Sequence, residues 1–178
     1  MSRSGGADHT RDQVAVVQAH ASSADSVGDR QLLLDYLRQD HGHTSINTGC
    51  GIGVCGACTV LTAGGPVRSC LVLSRDFDGL DVRTLENLTI TPLGISVAEA
   101  FGRNHALQCG YCTPGFMILA IDMVESGEPQ SSRTVRELVS GNLCRCTGYS
   151  PIISAMREIA EAAGLWIPGE EGIDDLFG

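Results

Sequence analysis

The sequence predicts an α+β protein in which a small β-sheet with one helix precedes a region built from helices. Strand-like runs rich in β-branched residues occupy the first half of the chain. After Thr91-Pro92, helix start and stop signals follow one another, and the eight cysteines divide four to each side of this boundary. With 178 residues and 43% hydrophobic residues, the chain is long enough for one domain, or two small ones, around a real core.

The first elements are a predicted hairpin and a helix. Residues 14–20 (VAVVQAH) predict a strand, and residues 24–27 supply a plausible partner strand after a turn-rich segment. Asp29 is placed to cap a helix over residues 30–40, in which Leu33, Leu34 and Leu37 face one side, and Gly42 can end it.

The next elements are a cysteine-bearing loop and further strands. Residues 45–56 are glycine-rich and fit neither the helix period nor the strand period, so we interpret them as a loop. Runs at 58–62 and 67–73 flank the turn signal AGGP and predict a second hairpin, and 80–85 predicts another strand. We therefore expect a small mixed sheet with one helix packed against it.

The second half predicts four helices in succession. The first covers residues 95–104. Thr113-Pro114, Ser132 and Ser150-Pro151 are cap signals for the other three, two of them with proline in the first turn. The glycines expected at the ends of these three helices are Gly127, Gly141 and Gly164.

Charge and composition exclude several classes of protein. All 12 basic residues are arginines against 21 acidic residues, which gives a formal net charge of −9. Without lysine there is no Schiff-base enzyme and no phosphate-binding P-loop, and the acidic balance argues against nucleic-acid binding. The apolar runs are too short for a membrane span, and the polar N-terminus lacks a secretory apolar region, so we expect a cytoplasmic protein.

The first cysteine set is Cys50, Cys55, Cys58 and Cys70, a CxxxxCxxC pattern with a fourth cysteine after eleven intervening residues. This is the plant-type ferredoxin spacing for a 2Fe–2S cluster. Because a cluster with four thiolates is anionic, its loop must turn backbone N–H groups toward the sulfurs, and glycine permits this. The glycines among these cysteines are Gly49, Gly51, Gly53 and Gly56.

Three other interpretations fit this segment less well. The glycines formally spell GxGxxG, but they neither follow a strand nor open a helix, as a dinucleotide fingerprint requires. A thioredoxin-like redox pair would need only Cys55 and Cys58. Structural zinc is the stronger rival, although it usually takes two short CxxC-type knuckles.

The second cysteine set is Cys109, Cys112, Cys144 and Cys146, a CxxC and a CxC separated by thirty-one residues. Both pairs flank predicted helices, and the helix N-terminus after Cys112 favours a nearby anion. Antiparallel helices could therefore bring the four thiolates to one end of a bundle. The spacing favours an iron–sulfur cluster but leaves zinc open, because either metal accepts this donor set.

The strings GCGIGVCGACTV, SCLVL, QCGYCTPGFMI and GNLCRCTGY, in this order, closely resemble the small iron–sulfur subunit of the molybdenum hydroxylases. That family includes xanthine dehydrogenase, aldehyde oxidoreductase and carbon monoxide dehydrogenase. The resemblance runs from about residue 14 to residue 165 and its motifs are highly specific. It implies an electron-transfer subunit of a heteromeric oxidoreductase.

The resemblance implies a β-grasp ferredoxin domain (13–90) and an all-α four-helix-bundle domain (91–166), each with one 2Fe–2S cluster. A flexible arm (1–12) would precede them and an acidic tail (167–178) would follow. It further implies a large subunit with a molybdopterin cofactor, a medium subunit with FAD and a dimer of heterotrimers. Electrons would run from molybdopterin through the helical-domain cluster and the ferredoxin-type cluster to FAD, during a hydroxylation that takes its oxygen from water.

Two residues are implied to lie against the pterin. They are Gln108, which precedes the second cysteine set, and Cys146, which ends it. One departure from the family concerns Ile52, where many relatives carry an acidic or polar residue. Since burial and hydrogen bonding set cluster potentials, we expect Ile52 to alter the solvent exposure of the ferredoxin-type cluster.

Overall fold

The computed structural model describes residues 17–18, 30–77 and 79–168. The expected arm (1–12), the partner strand at 24–27, the Asp29 cap and most of the acidic tail lie outside these residues. Within them, a small sheet with one helix comes first and helices follow, which confirms the α+β class.

The first helix, α1 (Leu33–Gln39), packs its apolar face toward the sheet. Leu33 and Leu37 are fully buried and share a core with Val60 and Val82 of the sheet. The helix begins after Leu32, whose backbone is extended, and the chain reverses beyond it at Gly42, where φ is +69°. The predicted helix and its buried leucine face are therefore present.

The sheet has four short strands in the order β1-β4-β2-β3 within the described residues, and every pair is antiparallel. The expectation of a mixed sheet is wrong for these strands. A two-residue turn joins β2 to β3, and a turn this short can connect only antiparallel neighbours. The strands are β1 (Val17–Gln18), β2 (Thr59–Thr62), β3 (Gly65–Arg68) and β4 (Asp81–Arg83).

Strand β3 differs from the predicted run at 67–73. The turn consists of Ala63 and Gly64 alone, so pairing resumes at Gly65, opposite Thr62. Pro66 is tolerated because β3 is the edge strand of the described sheet. After Arg68 the chain turns into a 3₁₀ helix, Ser69–Leu71, which carries Cys70 into the core.

Strand β4 ends earlier than the predicted run at 80–85. Thr84 and Asn87 form a capping box that starts the short helix α2 (Leu85–Leu88). The side chain of Asn87 accepts a hydrogen bond from Thr84 N (3.1 Å), and this local pairing replaces the next hydrogen bonds of the sheet.

Longer helices follow, and each begins at or before its predicted position. Thr113, Ser132 and Ser150 were expected to cap three of these helices, but each is the first residue of its helix. The cap in each case is the preceding residue. The helices are α3 (Pro92–Arg103), α4 (Thr113–Ser126), α5 (Ser132–Ser140) and α6 (Ser150–Ala162).

The caps explain these shifts. Thr91 accepts a hydrogen bond from Gly94 N (3.0 Å), which starts α3 at Pro92 instead of residue 95. Ser131 forms a capping box with Thr134, so Ser131 is the cap of α5. Cys112 and Tyr149 precede α4 and α6 without a side-chain cap bond, and a proline in the first turn supports each helix start.

The core of the helical region is centred on α4 and extends into the sheet. Phe101, Phe116 and Ile152 are fully buried in it, together with Leu61 of β2. Arg83 of β4 makes two hydrogen bonds, of 2.7 and 2.6 Å, to the carboxylate of Glu125 at the end of α4. The sheet and the helices are therefore packed directly against each other.

No helix among the described residues is long and apolar enough to cross a membrane.

Candidate metal centres

The loop before β2 wraps around the thiol of Cys50. The backbone N–H groups of Ile52 and Cys55 donate to Cys50 Sγ at 3.4 and 3.3 Å. Gly51 and Gly53 adopt positive φ values of +67° and +77°, which the loop needs in order to turn these N–H groups inward. The donors from Cys55 and Ile52 lower the pKa of the Cys50 thiol to about 7.

The first cysteine set forms two side-chain pairs. The Cys55 side chain lies close enough to Cys50 to affect its pKa, and the Cys70 side chain does the same for Cys58. Cys58 also interacts electrostatically with Cys55, so the two pairs are neighbours. Cys58 and Cys70 are buried, and burial raises the pKa of the Cys58 thiol to about 11. The four predicted ligands are therefore brought together.

The second set is assembled at the starts of α4 and α6. Cys109 and Cys112 lie just before α4, and Cys144 and Cys146 lie in the turn before α6. The Sγ atoms of Cys109 and Cys146 are 3.6 Å apart. Cys144 lies close enough to Cys112 to raise its pKa, and the two pairs are neighbours, since Cys109 also acts on the pKa of Cys112 and Cys144 on that of Cys146. These four predicted ligands also meet, again as two pairs.

The thiols of this second set differ in their electrostatic surroundings. Burial, followed by the neighbouring Cys144, raises the pKa of Cys112 to about 12. Burial also acts to raise the pKa of Cys144, but hydrogen bonds from the side chain and backbone N–H of Thr147 outweigh it and lower that pKa. Thr147 therefore supplies donors to the Cys144 sulfur in the way Ile52 does to Cys50.

The paired arrangement fits a two-iron cluster. A 2Fe–2S cluster takes two thiolates at each iron, and its sulfurs need N–H donors around them. The 3.6 Å between the Cys109 and Cys146 sulfurs is close to the roughly 3.8 Å edge of a tetrahedron with ~2.3 Å metal–sulfur bonds. The residues present therefore fit the group.

A cavity of about 270 Å³ lies at the second set and reaches the first. All four cysteines of the second set line it, together with Cys55 and Tyr111. Cys109, Cys146 and the neighbouring Gln108 are exposed, so one side of this cysteine set is open at the surface of the chain.

Hydrogen bonds join the two cysteine-bearing loops. Leu143 N donates to Cys55 O at 2.9 Å, so the residue before Cys144 is bonded directly to a residue of the first set. Tyr111, between Cys109 and Cys112, donates its hydroxyl to Thr48 O (3.0 Å), and its own carbonyl accepts from Asn47 Nδ2 (2.9 Å). The separation of the two sites is therefore fixed by direct contacts.

The sequence did not single out Tyr149 or Asn142, yet both support the second set. Tyr149 O–H accepts from Cys144 N (3.0 Å) and donates to Asn142 O (3.3 Å). Tyr149 also has a φ of +71°, an uncommon value for a residue other than glycine. Both lie inside the string GNLCRCTGY, but nothing in their residue types or spacing distinguishes them from ordinary loop residues.

Comparison with known proteins agrees with this geometry. A family model described as a 2Fe-2S iron-sulfur cluster binding domain matches residues 17–84, and one described as a [2Fe-2S] binding domain matches residues 84–157. The chain is 48% identical to the nicotine 6-hydroxylase small subunit of Paenarthrobacter nicotinovorans, covering 74% of this chain and 79% of the relative. The chain belongs to the small iron–sulfur subunits of the molybdenum hydroxylases.

Other relatives in this family are subunits of the same kind. The xanthine dehydrogenase iron-sulfur-binding subunit of Escherichia coli O157:H7 is 38% identical, over 69% of this chain and 79% of its own length. In the crystal structure of quinoline 2-oxidoreductase from Pseudomonas putida 86, the matched chain is 43% identical. It superposes with a TM-score of 0.68 over 76% of this chain and 85% of its own length. The protein is thus the iron–sulfur subunit of an oxidoreductase complex, with two 2Fe–2S-binding domains.

Proposed function

We propose that this chain relays electrons between the other subunits of a molybdenum hydroxylase. Electrons would come from a molybdopterin site on a large subunit and leave to FAD on a medium subunit, during a hydroxylation that takes its oxygen from water. The substrate-converting site lies on another chain. Each 2Fe–2S cluster, when bound, accepts one electron and passes it on.

The eight cysteines are the ligands in this proposal. Cys50, Cys55, Cys58 and Cys70 hold the ferredoxin-type cluster in a β-grasp domain, and the second set holds the other cluster in a four-helix bundle. By the proximity of their side chains, each of these pairs would hold one iron: Cys50 with Cys55, Cys58 with Cys70, Cys109 with Cys146, and Cys112 with Cys144.

One observation supports the relay above all others: the two cysteine sets are separate, yet their loops are bonded to each other. The hydrogen bond from Leu143 N to Cys55 O places the backbone of one set against the backbone of the other. A relay needs two electron sites at a short and constant separation, and this contact supports a constant separation of the two loops. A structural zinc module would have no need for such a link.

The exposed residues beside the second cysteine set support a proposal for where the large subunit binds. Gln108 and Cys146 are exposed beside Leu107, Tyr111 and Leu143, so we propose that the large subunit covers this face and that its pterin lies against Gln108 and Cys146. Isolated apolar side chains on a surface are ordinary, but Tyr111 and Leu143 line the cavity at a cysteine set.

The ferredoxin-type site has its own apolar surroundings, which we assign to the medium subunit. Ile52 and Val54 are 68% and 59% exposed, and Leu71 beside them is 59% exposed. Leu71 packs on Gly53, where a Cβ atom would lie only 3.0 Å from Leu71 Cγ. In the assembly we propose a cytoplasmic dimer of heterotrimers.

Purification of the complex tests this function. We expect the chain to be isolated with two larger subunits, and the complex to contain molybdenum, FAD and about four irons with matching sulfide per copy of this chain. A colourless chain with stoichiometric zinc would contradict the proposal, and so would a stable monomer that exchanges electrons with soluble reductases on its own.

A further inference from the structure

Asn142 occupies an unusual position between the two cysteine-bearing loops. It lies two residues before Cys144, and its side chain is 1% exposed. Neither Oδ1 nor Nδ2 has a hydrogen-bond partner among the described residues. Because a buried amide without partners is costly, this side chain contributes something other than a hydrogen bond within the chain.

Two glycines form a narrow slot around this amide. A Cβ atom on Gly56, the residue after Cys55, would lie 3.0 Å from Asn142 Cα and would overlap Asn142 Oδ1. A Cβ atom on Gly115, in the first turn of α4, would lie 2.9 Å from Asn142 Nδ2 and 2.5 Å from Gly56 O. The amide therefore fills the space between the ligand loop of the first set and the helix that follows Cys112.

Hydrogen bonds hold the backbone from Asn142 to Cys144 in place. Asn142 O accepts from the Tyr149 hydroxyl (3.3 Å), and that hydroxyl accepts from Cys144 N (3.0 Å). Between them, Leu143 N donates to Cys55 O (2.9 Å). The amide cannot shift without moving residues that are covalently next to Cys55 and Cys144.

We propose that Asn142 is a positioning residue that fixes the separation and relative orientation of the two clusters. The inference rests on the proposed function, because it assumes that both cysteine sets hold clusters. A carboxamide is flat, so it fits between two glycine backbones where a tetrahedral side chain would be too thick. The flat shape, packed against Gly56 and Gly115, maintains the spacing over which electrons pass.

The test is electron paramagnetic resonance of the whole complex reduced with dithionite. In the fully reduced complex both clusters are paramagnetic, and their magnetic interaction falls steeply with distance. We expect Asn142→Ala to weaken and broaden the splitting caused by this interaction. The signal of each cluster recorded in half-reduced samples should stay unchanged, because no ligand is altered.

Further variants separate the effect of packing around Asn142 from a general loss of stability. Asn142→Leu has about the same size but a tetrahedral Cγ atom and no charge, so it should weaken the splitting as Asn142→Ala does. Gly115→Ala should weaken the splitting, because its Cβ atom would push on Gly56 O. Gly102→Ala, a helical glycine with nothing within 4 Å of the added atom, serves as the matched control and should leave the spectrum unchanged.

The outcomes distinguish a failure of the positioning role of Asn142 from a failure of the proposed function. Wild-type splitting in both Asn142→Ala and Gly115→Ala, or no magnetic interaction in the wild-type complex, would overturn the positioning role. Wild-type splitting in Asn142→Leu would overturn the role of shape. A wild-type complex with one cluster or none would instead overturn the proposed function itself.

Discussion

At the scale of single residues, Glu86 joins the loop that leads to the first cysteines to helix α2. Its carboxylate accepts from Ser45 N (2.7 Å) and from Ser45 Oγ (2.5 Å), so residues of the loop and of α2 are joined. Burial alone would raise the pKa of Glu86, but the two hydrogen bonds from Ser45 outweigh it and lower that pKa. The folded state therefore favours the charged form of the Glu86 carboxylate over the neutral form.

Glu86→Gln is expected to lower the free energy of unfolding by about 1 kcal/mol at pH 7, since it weakens both bonds to Ser45. A lowered pKa means that the contribution is fully present above the unfolded-state value of about 4.3 and disappears as the pH falls through the folded-state value. Unfolding of the two proteins, compared at each pH from 8 to 3, checks this. A difference that stays constant across this range would contradict it.

Replacing one cysteine from each set should remove one cluster and leave the other. Cys112→Ala should halve the iron content, from about four to about two per chain, and abolish one paramagnetic signal. Cys58→Ala should abolish the other signal with the same loss of iron, and each variant acts as the control for the other. Loss of all iron from either variant would show that the two sites do not bind independently.

The cysteines were predictable, whereas the residues that support them were not. Cys50, Cys55, Cys58 and Cys70 stand at a spacing that only a few kinds of metal site use. Asn142 acts through the space it fills between residues far away in sequence, and no local pattern signals such a contact. Contacts of this kind depend on how the two halves pack, which is a tertiary property.

At the scale of elements, helix starts depend on single hydrogen bonds that a sequence pattern locates only to within a residue or more. Ser131 and Ser132 are both good caps by type, and the structure selects Ser131 because its partner Thr134 stands three residues later. Strand β3 ended early for a comparable reason. Cys70 has to enter the core, so the chain leaves the sheet at Arg68 although the following residues favour strands.

Two glycines of α3 should respond oppositely to the same substitution. Gly102→Ala should stabilise the protein by about 0.5 kcal/mol, because alanine favours the helix and the added atom meets open space. Gly94→Ala should destabilise it by about 1–3 kcal/mol, because the Cβ atom would lie 2.5 Å from the carbonyl carbon of Leu88. Thermal unfolding of both variants tests this, and shifts of the same sign would contradict it.

At the scale of the whole molecule, contacts between the sheet and the helices fix the position of one cysteine set relative to the other. Arg83 bonds Glu125, and Arg68 Nη2 donates to Gly141 O at 2.6 Å. Neither contact was predictable, since no local sequence pattern pairs an arginine with a residue far away along the chain. The two halves and their sets of four cysteines could be predicted, but their mutual orientation could not.

A charge on the open face should prevent assembly without unfolding the chain. Leu143 is 53% exposed at the rim of the cavity, so Leu143→Glu should abolish co-purification with the large subunit while both clusters remain bound. Ile90→Glu is the matched control, because Ile90 is 64% exposed and lies away from the cavity lining. Retention of the large subunit by Leu143→Glu would place the interface elsewhere.

The central claim is that this chain holds two separate two-iron clusters, one on each set of four cysteines. Electron paramagnetic resonance of the purified complex during stepwise reduction measures this directly. We expect two distinct signals of equal integrated intensity, each of which appears in its own one-electron reduction step. A single kind of signal, or none, would contradict it.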